Sequence, residues 1–143
     1  MLDLHLAIAH HILIFAMFGV LVAESMCLQP GMTAGDVRRV SRIDLSYGVL
    51  AALILAVGFS RALFAAKGWE YYLSNTFFWL KIVTFVAIGL LSAPPTIALI
   101  RWRRSGTAPT GGEIAYVRRF IWAETILFVL LLIFAAAMAR GYG

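Results

Sequence analysis

Three ionisable residues, His10, Arg61 and Lys81, stand in three different apolar segments of the chain. An ionisable side chain inside a bilayer costs at least ~2.5 kcal/mol on insertion scales, so each of them requires a partner or a function. A neutral imidazole is a ligand for iron or copper, and a guanidinium and an ammonium group together neutralise two negative charges. The three residue types therefore predict a site for an anionic group that contains a metal.

Haem b has the properties that this set of residues requires. Its two propionates would neutralise Arg61 and Lys81, and its iron would take the His10 imidazole as an axial ligand. The three histidines all lie in the first apolar segment, so a haem held by histidines from two segments cannot form within one chain. The second axial position is then filled by Met138, by water or by nothing.

Copper is the alternative occupant of the same region. Imidazole and thioether groups are good copper ligands, and His5, His10 and Met138 would supply them. Copper, however, leaves the two cations Arg61 and Lys81 without an explanation.

The composition shows what must position these side chains. Of the 143 residues, 62% are hydrophobic and 13% are charged, against roughly 45–50% and 25% in soluble domains. The apolar residues form four long runs, each sufficient to cross about 30 Å of hydrocarbon. We predict an all-α, integral-membrane four-helix bundle, a single transmembrane domain over 1–143 with helices at about 4–28, 43–66, 76–100 and 117–139. No stretch remains for a soluble catalytic domain or a nucleotide-binding unit.

The basic residues are distributed unevenly between the two ends of the predicted bundle. Lysine and arginine are retained on the cytoplasmic side during insertion. One end would carry eight arginines, whereas the other end has Lys67 and Arg140; the eight are Arg38, Arg39, Arg42, Arg101, Arg103, Arg104, Arg118 and Arg119. We expect a multi-pass protein of the bacterial inner membrane with both termini in the periplasm. The net charge of +5 then reflects topology and contact with anionic lipids, and no nucleic-acid partner is expected.

Polar and small residues of the second helix recur every three or four positions, which places them on one stripe facing the bundle. This stripe comprises Asp44, Tyr47, Ala51, Ile54, Gly58 and Arg61. We expect Gly48 and Gly58 to let a neighbouring helix approach closely.

Depth along the helices separates the inward polar residues into two levels. At a rise of 1.5 Å per residue, His10, Arg61 and Lys81 each lie about 8 Å from the periplasmic end of their helices. Met138 lies at the same end but closer to the boundary. No carboxylate is expected within this level, where Glu70 from the neighbouring loop would act as a counter-ion. Without a ligand, the two cations are expected to extend towards water.

The second level, near the cytoplasmic end, contains Glu24, Asp44 and Glu124 together with Tyr47. One interpretation is that these carboxylates form ion pairs that fix the helix register, and the predicted partners are Arg42, Arg101 and Arg118. The alternative is that they conduct protons.

Two local signals concern the ends and the continuity of the helices. Thr33 with Asp36 three residues later predicts a helix start, and therefore a short basic surface helix that ends at Arg42. Pro94 and Pro95 are expected to kink or break the third helix, because proline removes a backbone donor and clashes with the preceding turn.

The chain resembles a bacterial four-helix inner-membrane family of unknown function over nearly its full length. The resemblance is carried by Arg42-Ile43-Asp44-Leu45-Ser46-Tyr47-Gly48, Gly58 with Arg61, Lys67-Gly68, Tyr71-Tyr72, Asn75, Phe78-Trp79-Leu80-Lys81, Pro95-Thr96, Arg101-Trp102-Arg103 and Met138-Ala139-Arg140-Gly141. More distantly, it is similar to the HemJ-type protoporphyrinogen oxidases and to the membrane domain of the copper-resistance protein CopD.

The likeness to HemJ proteins rests on His10 early in the first helix, Trp79-Leu80-Lys81 at the start of the third, and the Arg-Trp-Arg sequence after it. It implies a bound haem with His10 as its ligand, and Lys81 near the propionates or the substrate.

Three functional hypotheses follow from these observations. The first is a haem-dependent oxidoreductase that exchanges electrons with a quinone or a porphyrin at the periplasmic face. The second is a transporter of copper or another small ion, and the third is a non-catalytic assembly subunit. Because four short helices with glycine-bearing seams bury little surface, we expect the chain to form a homo-oligomer in the lipid bilayer.

Overall fold

The computed structural model describes residues 2–64 and 69–142, and their secondary structure is entirely helical. The helices are α1 (Leu2–Cys27), α2 (Ala34–Phe64), α3 (Trp69–Ser74), α4 (Thr76–Ser105) and α5 (Gly111–Ala139). All except α3 are long and apolar enough to cross a membrane. The predicted all-α membrane bundle is therefore confirmed.

The four long helices form a ring in which each helix packs against two others. The contacts are most extensive within each hairpin, between α1 and α2 and between α4 and α5. Contacts of α2 with α4 and of α1 with α5 close the ring. The start of α1, the end of α5 and the short helix α3 lie at one end, here called the terminal end. The opposite end carries the α1–α2 and α4–α5 connections with their arginines, and is called the arginine end.

The core of the bundle is apolar, and so is much of its outer surface. Met17, Leu21, Ile88 and Phe128 are fully buried between the helices. Large apolar side chains point outwards on every long helix, including Phe15, Leu45, Leu90 and Ile126. In a bilayer these outward side chains contact lipid, which is as apolar as they are.

Helix α2 begins well before the predicted membrane segment, at Ala34 rather than at residue 43. The Asp36 carboxylate accepts hydrogen bonds from the Thr33 amide (2.9 Å) and hydroxyl (2.7 Å), and the Thr33 hydroxyl accepts one from the Asp36 amide (3.2 Å). The helix start was therefore predicted correctly, but the separate surface helix was not. Val37 and Val40 are buried, so this basic turn packs on the bundle and continues directly into the membrane.

Helix α4 is continuous through Pro94 and Pro95, so of the two predicted effects, a kink or a break, the break is wrong. Membrane helices tolerate proline because neighbouring helices and local adjustments satisfy the freed backbone groups. Pro95 is buried against the bundle. At the arginine end α4 stops at Gly106, whose φ of 68° allows its amide to donate to the Trp102 carbonyl at 3.1 Å. Thr110 then begins α5 with a capping box.

The terminal end is closed by a set of hydrogen bonds around the start of α4. The Asn75 side chain accepts from the Phe78 amide at 3.1 Å, and its amide group donates to the Tyr142 carbonyl at 3.1 Å. The Trp79 indole donates to the Leu73 carbonyl of α3 at 2.9 Å. The predicted end of the second helix, at Ala66, and the loop residue Lys67 lie outside the described residues.

Candidate functional site

At the terminal end, three helices bring His10, Arg61 and Lys81 together. His10 is half-buried, and both Lys81 of α4 and Arg61 of α2 are close enough to act on its imidazole electrostatically. Lys81 is also within the electrostatic range of Arg61. The next residue, His11, is exposed, and its Nδ1 donates to the Ala7 carbonyl at 2.7 Å. His10, Arg61 and Lys81 are called the cationic cluster below.

The His10 ring packs directly on Gly58 of α2. A Cβ atom at position 58 would lie 3.2 Å from His10 Cε1, closer than most real contacts of that type. His10 Nδ1 is buried and makes no hydrogen bond. Gly48 differs from the prediction, because a Cβ atom at that position would meet open space. It lies on the exposed face of α2, so only Gly58 of the two permits a close approach.

A carboxylate lies closer to the cationic cluster than the sequence predicted. Asp3 Oδ1 is 3.9 Å from Arg61 Nε, and its side chain comes from the first turn of α1. The prediction of a level without a local carboxylate was wrong because Asp3 is brought to the end of α2 by the α1–α2 packing. This ion pair is loose: both atoms are buried without a hydrogen bond. Glu70, the predicted counter-ion, is exposed on α3 and forms no ion pair within the described ranges.

The proposed second ligand, Met138, lies in the last turn of α5 at the same end and is half-buried. His5, the extra ligand considered for copper, is exposed on α1. Among residues 2–64 and 69–142, no three histidine, cysteine or acidic side chains are arranged to hold a metal ion.

Near the arginine end, three helices direct carboxyl groups towards the centre of the ring. Glu24 of α1 and Glu124 of α5 are 2% and 1% exposed, and Asp44 of α2 is partly buried. Glu24 is within electrostatic range of both other carboxyls, and Tyr47 of α2 is within range of all three. Glu24, Asp44, Tyr47 and Glu124 are called the carboxyl cluster below.

Hydrogen bonding in the carboxyl cluster is incomplete. The Thr96 hydroxyl of α4 donates to Asp44 Oδ1 at 2.7 Å. Glu24 Oε1 is buried and has no hydrogen-bond donor. The Tyr47 hydroxyl approaches the Glu124 carboxylate closely enough to interact, but it forms no hydrogen bond of full geometry. All four members of the cluster were predicted at this level from the sequence. Thr96 was not identified as the donor to Asp44, although the polarity of Thr96 in an apolar segment was an available signal.

The predicted arginine partners do not neutralise these carboxyls. Arg101 pairs with Glu113 at 3.0 Å, and Arg42 is exposed. In the part of the chain that the structure describes, no basic nitrogen lies within 4.0 Å of a carboxylate of the cluster. Glu24 and Glu124 are buried between the helices, whereas the Arg42 and Arg101 side chains are exposed and Arg118 of α5 is half-buried.

An apolar layer separates the two clusters. It is made of Met17, Ile54, Ile88 and Phe128, one residue from each long helix, all at most 5% exposed. The Phe18 and Phe128 rings close the α1–α5 side of this layer, with centroids 5.3 Å apart. The interior of the bundle thus has the cationic cluster near the terminal end, an apolar middle, and the carboxyl cluster near the arginine end.

Comparison with known proteins identifies a membrane protein. A family model described as "Predicted membrane protein (DUF2214)" matches residues 2–143. No curated protein and no solved structure matches the chain significantly.

Proposed function

Because the chain belongs to the DUF2214 family of predicted membrane proteins, we propose a function carried out within the bilayer: the cationic cluster binds haem b and serves in electron transfer. The observation that carries this proposal is the buried His10 Nδ1, which has no hydrogen-bond partner and lies beside two cations. The resemblance to HemJ proteins in His10 and Lys81 points to the same cofactor.

The residues of the cluster fit a haem group in three respects. His10 offers an imidazole, the ligand that holds iron in many haem proteins. Gly58 lets that imidazole pack closely on α2, where a larger residue would push the ring aside. Arg61 Nε is buried and makes no hydrogen bond, and its nearest carboxylate, Asp3, is 3.9 Å away. With Lys81, Arg61 would provide the charge that two propionates require.

When bound, haem supplies a one-electron iron couple. The contribution of the chain would be to hold the group: His10 would bind its iron, and Lys81 with Arg61 would bind the propionates. Met138 is the proposed second ligand, from the last turn of α5. The apolar layer between the two clusters would keep water from reaching the haem from the arginine end. As redox partner we propose a quinone or a porphyrin, since both reach such a site from the bilayer, and we propose that the chain acts as a homo-oligomer.

The orientation of the chain is part of this proposal. The excess of arginine at one end supports a cytoplasmic location for that end and a periplasmic location for the haem site in a bacterial inner membrane. Alkaline phosphatase fused after residue 143 should be active, because it folds only outside the cytoplasm. An inactive fusion protein that is present in normal amount would show the opposite orientation, with the terminal end in the cytoplasm.

An absorbance spectrum tests the haem site directly. The protein is expressed with haem supply, purified in detergent and measured oxidised and reduced. We expect a Soret band that His10→Ala removes and that Lys81→Met weakens. The matched control is His11→Ala, the adjacent histidine on the exposed side of α1, which should leave the band unchanged.

Two results would overturn the haem proposal. They are the absence of a Soret band in the unsubstituted protein and an equal band in His10→Ala. Metal analysis of the same sample separates the alternatives: copper at one equivalent without haem indicates the copper-binding function. If neither haem nor copper is bound and Arg61→Leu only reduces stability, the result indicates an assembly subunit.

A further inference from the structure

The carboxyl cluster lies at the opposite end from the cationic cluster, and the proposed haem function gives it no role. Its members come from α1, α2 and α5, and α4 adds the hydroxyl of Thr96. The titratable groups that face one another are Glu24, Asp44, Tyr47 and Glu124.

The two glutamates occupy equivalent positions on α1 and α5. Each lies three residues after one fully buried apolar residue and four before another, namely Leu21 and Leu28 for Glu24, and Ile121 and Phe128 for Glu124. A residue at the centre of such a stripe points into the bundle. The burial of both carboxyls is therefore set by the helix packing and does not depend on a flexible side chain.

Charge balance distinguishes this cluster from a structural ion-pair network. Like charges this close in a medium of low dielectric cannot all be ionised without a compensating positive charge. Within residues 2–64 and 69–142, no basic nitrogen is in ion-pair range of these carboxylates. The compensating charge must be a cation that is not a side chain.

Two buried polar atoms of the cluster also lack a hydrogen-bond partner. Tyr47 is 4% exposed, and its hydroxyl, directed at Glu124, completes no hydrogen bond. Glu24 is 2% exposed, and its Oε1 has no donor. A protonated carboxyl group would satisfy such atoms, because it is both a donor and an acceptor.

We propose that Glu24, Asp44 and Glu124, with Tyr47, form a proton-binding site at the centre of the bundle. A proton taken from water converts one carboxylate of the cluster into a carboxylic acid, and its release restores the carboxylate. A proton fits better than a metal ion, because the described side chains do not converge as a set of metal ligands. Asp44 is the only one of the three carboxyls that is not fully buried, so exchange with water passes through it.

Infrared spectroscopy measures this site in the full chain, purified in detergent without regard to its haem content. We expect a carboxylic-acid C=O band at neutral pH that shifts in heavy water and disappears as the pH is raised. Replacing Tyr47 by Phe should shift the band, because the adjacent hydroxyl is lost. The band, its shift in heavy water and its loss at high pH are measured first in the unsubstituted protein, so this part of the test does not depend on the folding of any variant.

The carboxyl variants assign the band. At least one of Glu24→Gln, Asp44→Asn and Glu124→Gln should remove it. The matched control is Glu113→Gln, on the same helix as Glu124 but at the surface, and it should leave the band unchanged. The absence of the band at neutral pH would overturn the proposal, as would a band that all three variants retain.

A sodium titration separates the proton from a metal cation. At fixed pH, replacing choline by sodium should leave the carboxylic-acid band unchanged. Loss of the band with sodium would show that the cluster takes a metal ion and would overturn the proposal. The outcome is independent of the Soret measurement, so the haem proposal and this one can fail separately.

Discussion

Thr96 of α4 donates a 2.7 Å hydrogen bond to Asp44 of α2, which joins the two hairpins of the bundle at the level of the carboxyl cluster. The α2–α4 contact connects the α1–α2 pair to the α4–α5 pair. Hydrogen bonds between membrane helices contribute about 0.6 kcal/mol on average and up to about 1.7 kcal/mol. This one should contribute more than that average, because it fixes a carboxylate inside the bundle.

Thr96→Val keeps the shape of the side chain and removes the hydroxyl. We expect the free energy of unfolding to fall by about 1 kcal/mol, measured by circular dichroism during unfolding in SDS. The control is Thr125→Val, because the Thr125 hydroxyl donates within its own helix, to the Ile121 carbonyl at 2.8 Å. Equal losses in the two variants would show that the hydrogen bond between α2 and α4 contributes no more stability than one within a single helix.

The two glycines of α2 should respond differently to alanine. In a helix, alanine is favoured over glycine by about 1 kcal/mol. Gly48→Ala should gain part of this, since its Cβ meets open space, whereas Gly58→Ala should gain less or lose stability because its Cβ lies 3.2 Å from His10. Thermal unfolding of the two variants measures the difference. A gain of the same size at both positions would contradict the packing of His10 on Gly58.

Asn75→Ala should destabilise the terminal end in two ways. It removes the cap of α4, which costs about 1 kcal/mol, and it frees the carbonyl of Tyr142. We expect a lower unfolding temperature and faster digestion of the C-terminal residues by carboxypeptidase. In the control, Ser74→Ala, the lost hydroxyl bonds only to carbonyls of its own helix, and digestion at the unsubstituted rate is expected. Unchanged digestion of Asn75→Ala would refute the contact with Tyr142.

The ion pair between Arg101 and Glu113 is close, at 3.0 Å, but largely exposed. Exposed pairs contribute about 0.2–1 kcal/mol and are screened by salt. Arg101→Gln should therefore reduce stability by less than about 1 kcal/mol at low salt, and the loss should vanish at high salt. Arg103→Gln is the control, since Arg103 is exposed and forms no ion pair within the described segments. A loss that persists in high salt would contradict this reasoning.

The spans and their inward stripes could be predicted from the sequence because membrane helices are determined by length, apolarity and a spacing of three to four residues. Tyr47 and Ile54 of the predicted stripe are buried, whereas Leu45 and Leu53, which lie off that stripe, are exposed. The meeting of His10, Arg61 and Lys81 was predicted from depth alone, because antiparallel helices of known length share a common boundary.

Relationships that depend on rotation and tilt between helices could not be predicted in this way. The approach of Asp3 to Arg61 requires the packing of α1 on α2, and the bond from Thr96 to Asp44 requires the register of α4. The arginine partners were assigned wrongly because residues close in depth can still point in different directions. The continuity of the Thr33 helix start with the second membrane helix was missed because Arg38 and its neighbours lower the apolarity of that turn below that of a membrane segment.

The apolar layer between the two clusters has a consequence for how the ends of the molecule influence each other. Met17, Ile54, Ile88 and Phe128 offer no group that relays a charge from one cluster to the other. A proton therefore cannot pass from one cluster to the other along side chains. The electric field of a charge in the carboxyl cluster still reaches the cationic cluster, because a layer of low dielectric screens it little. Gain or loss of a proton at one end is thus felt at the other without any proton crossing between them.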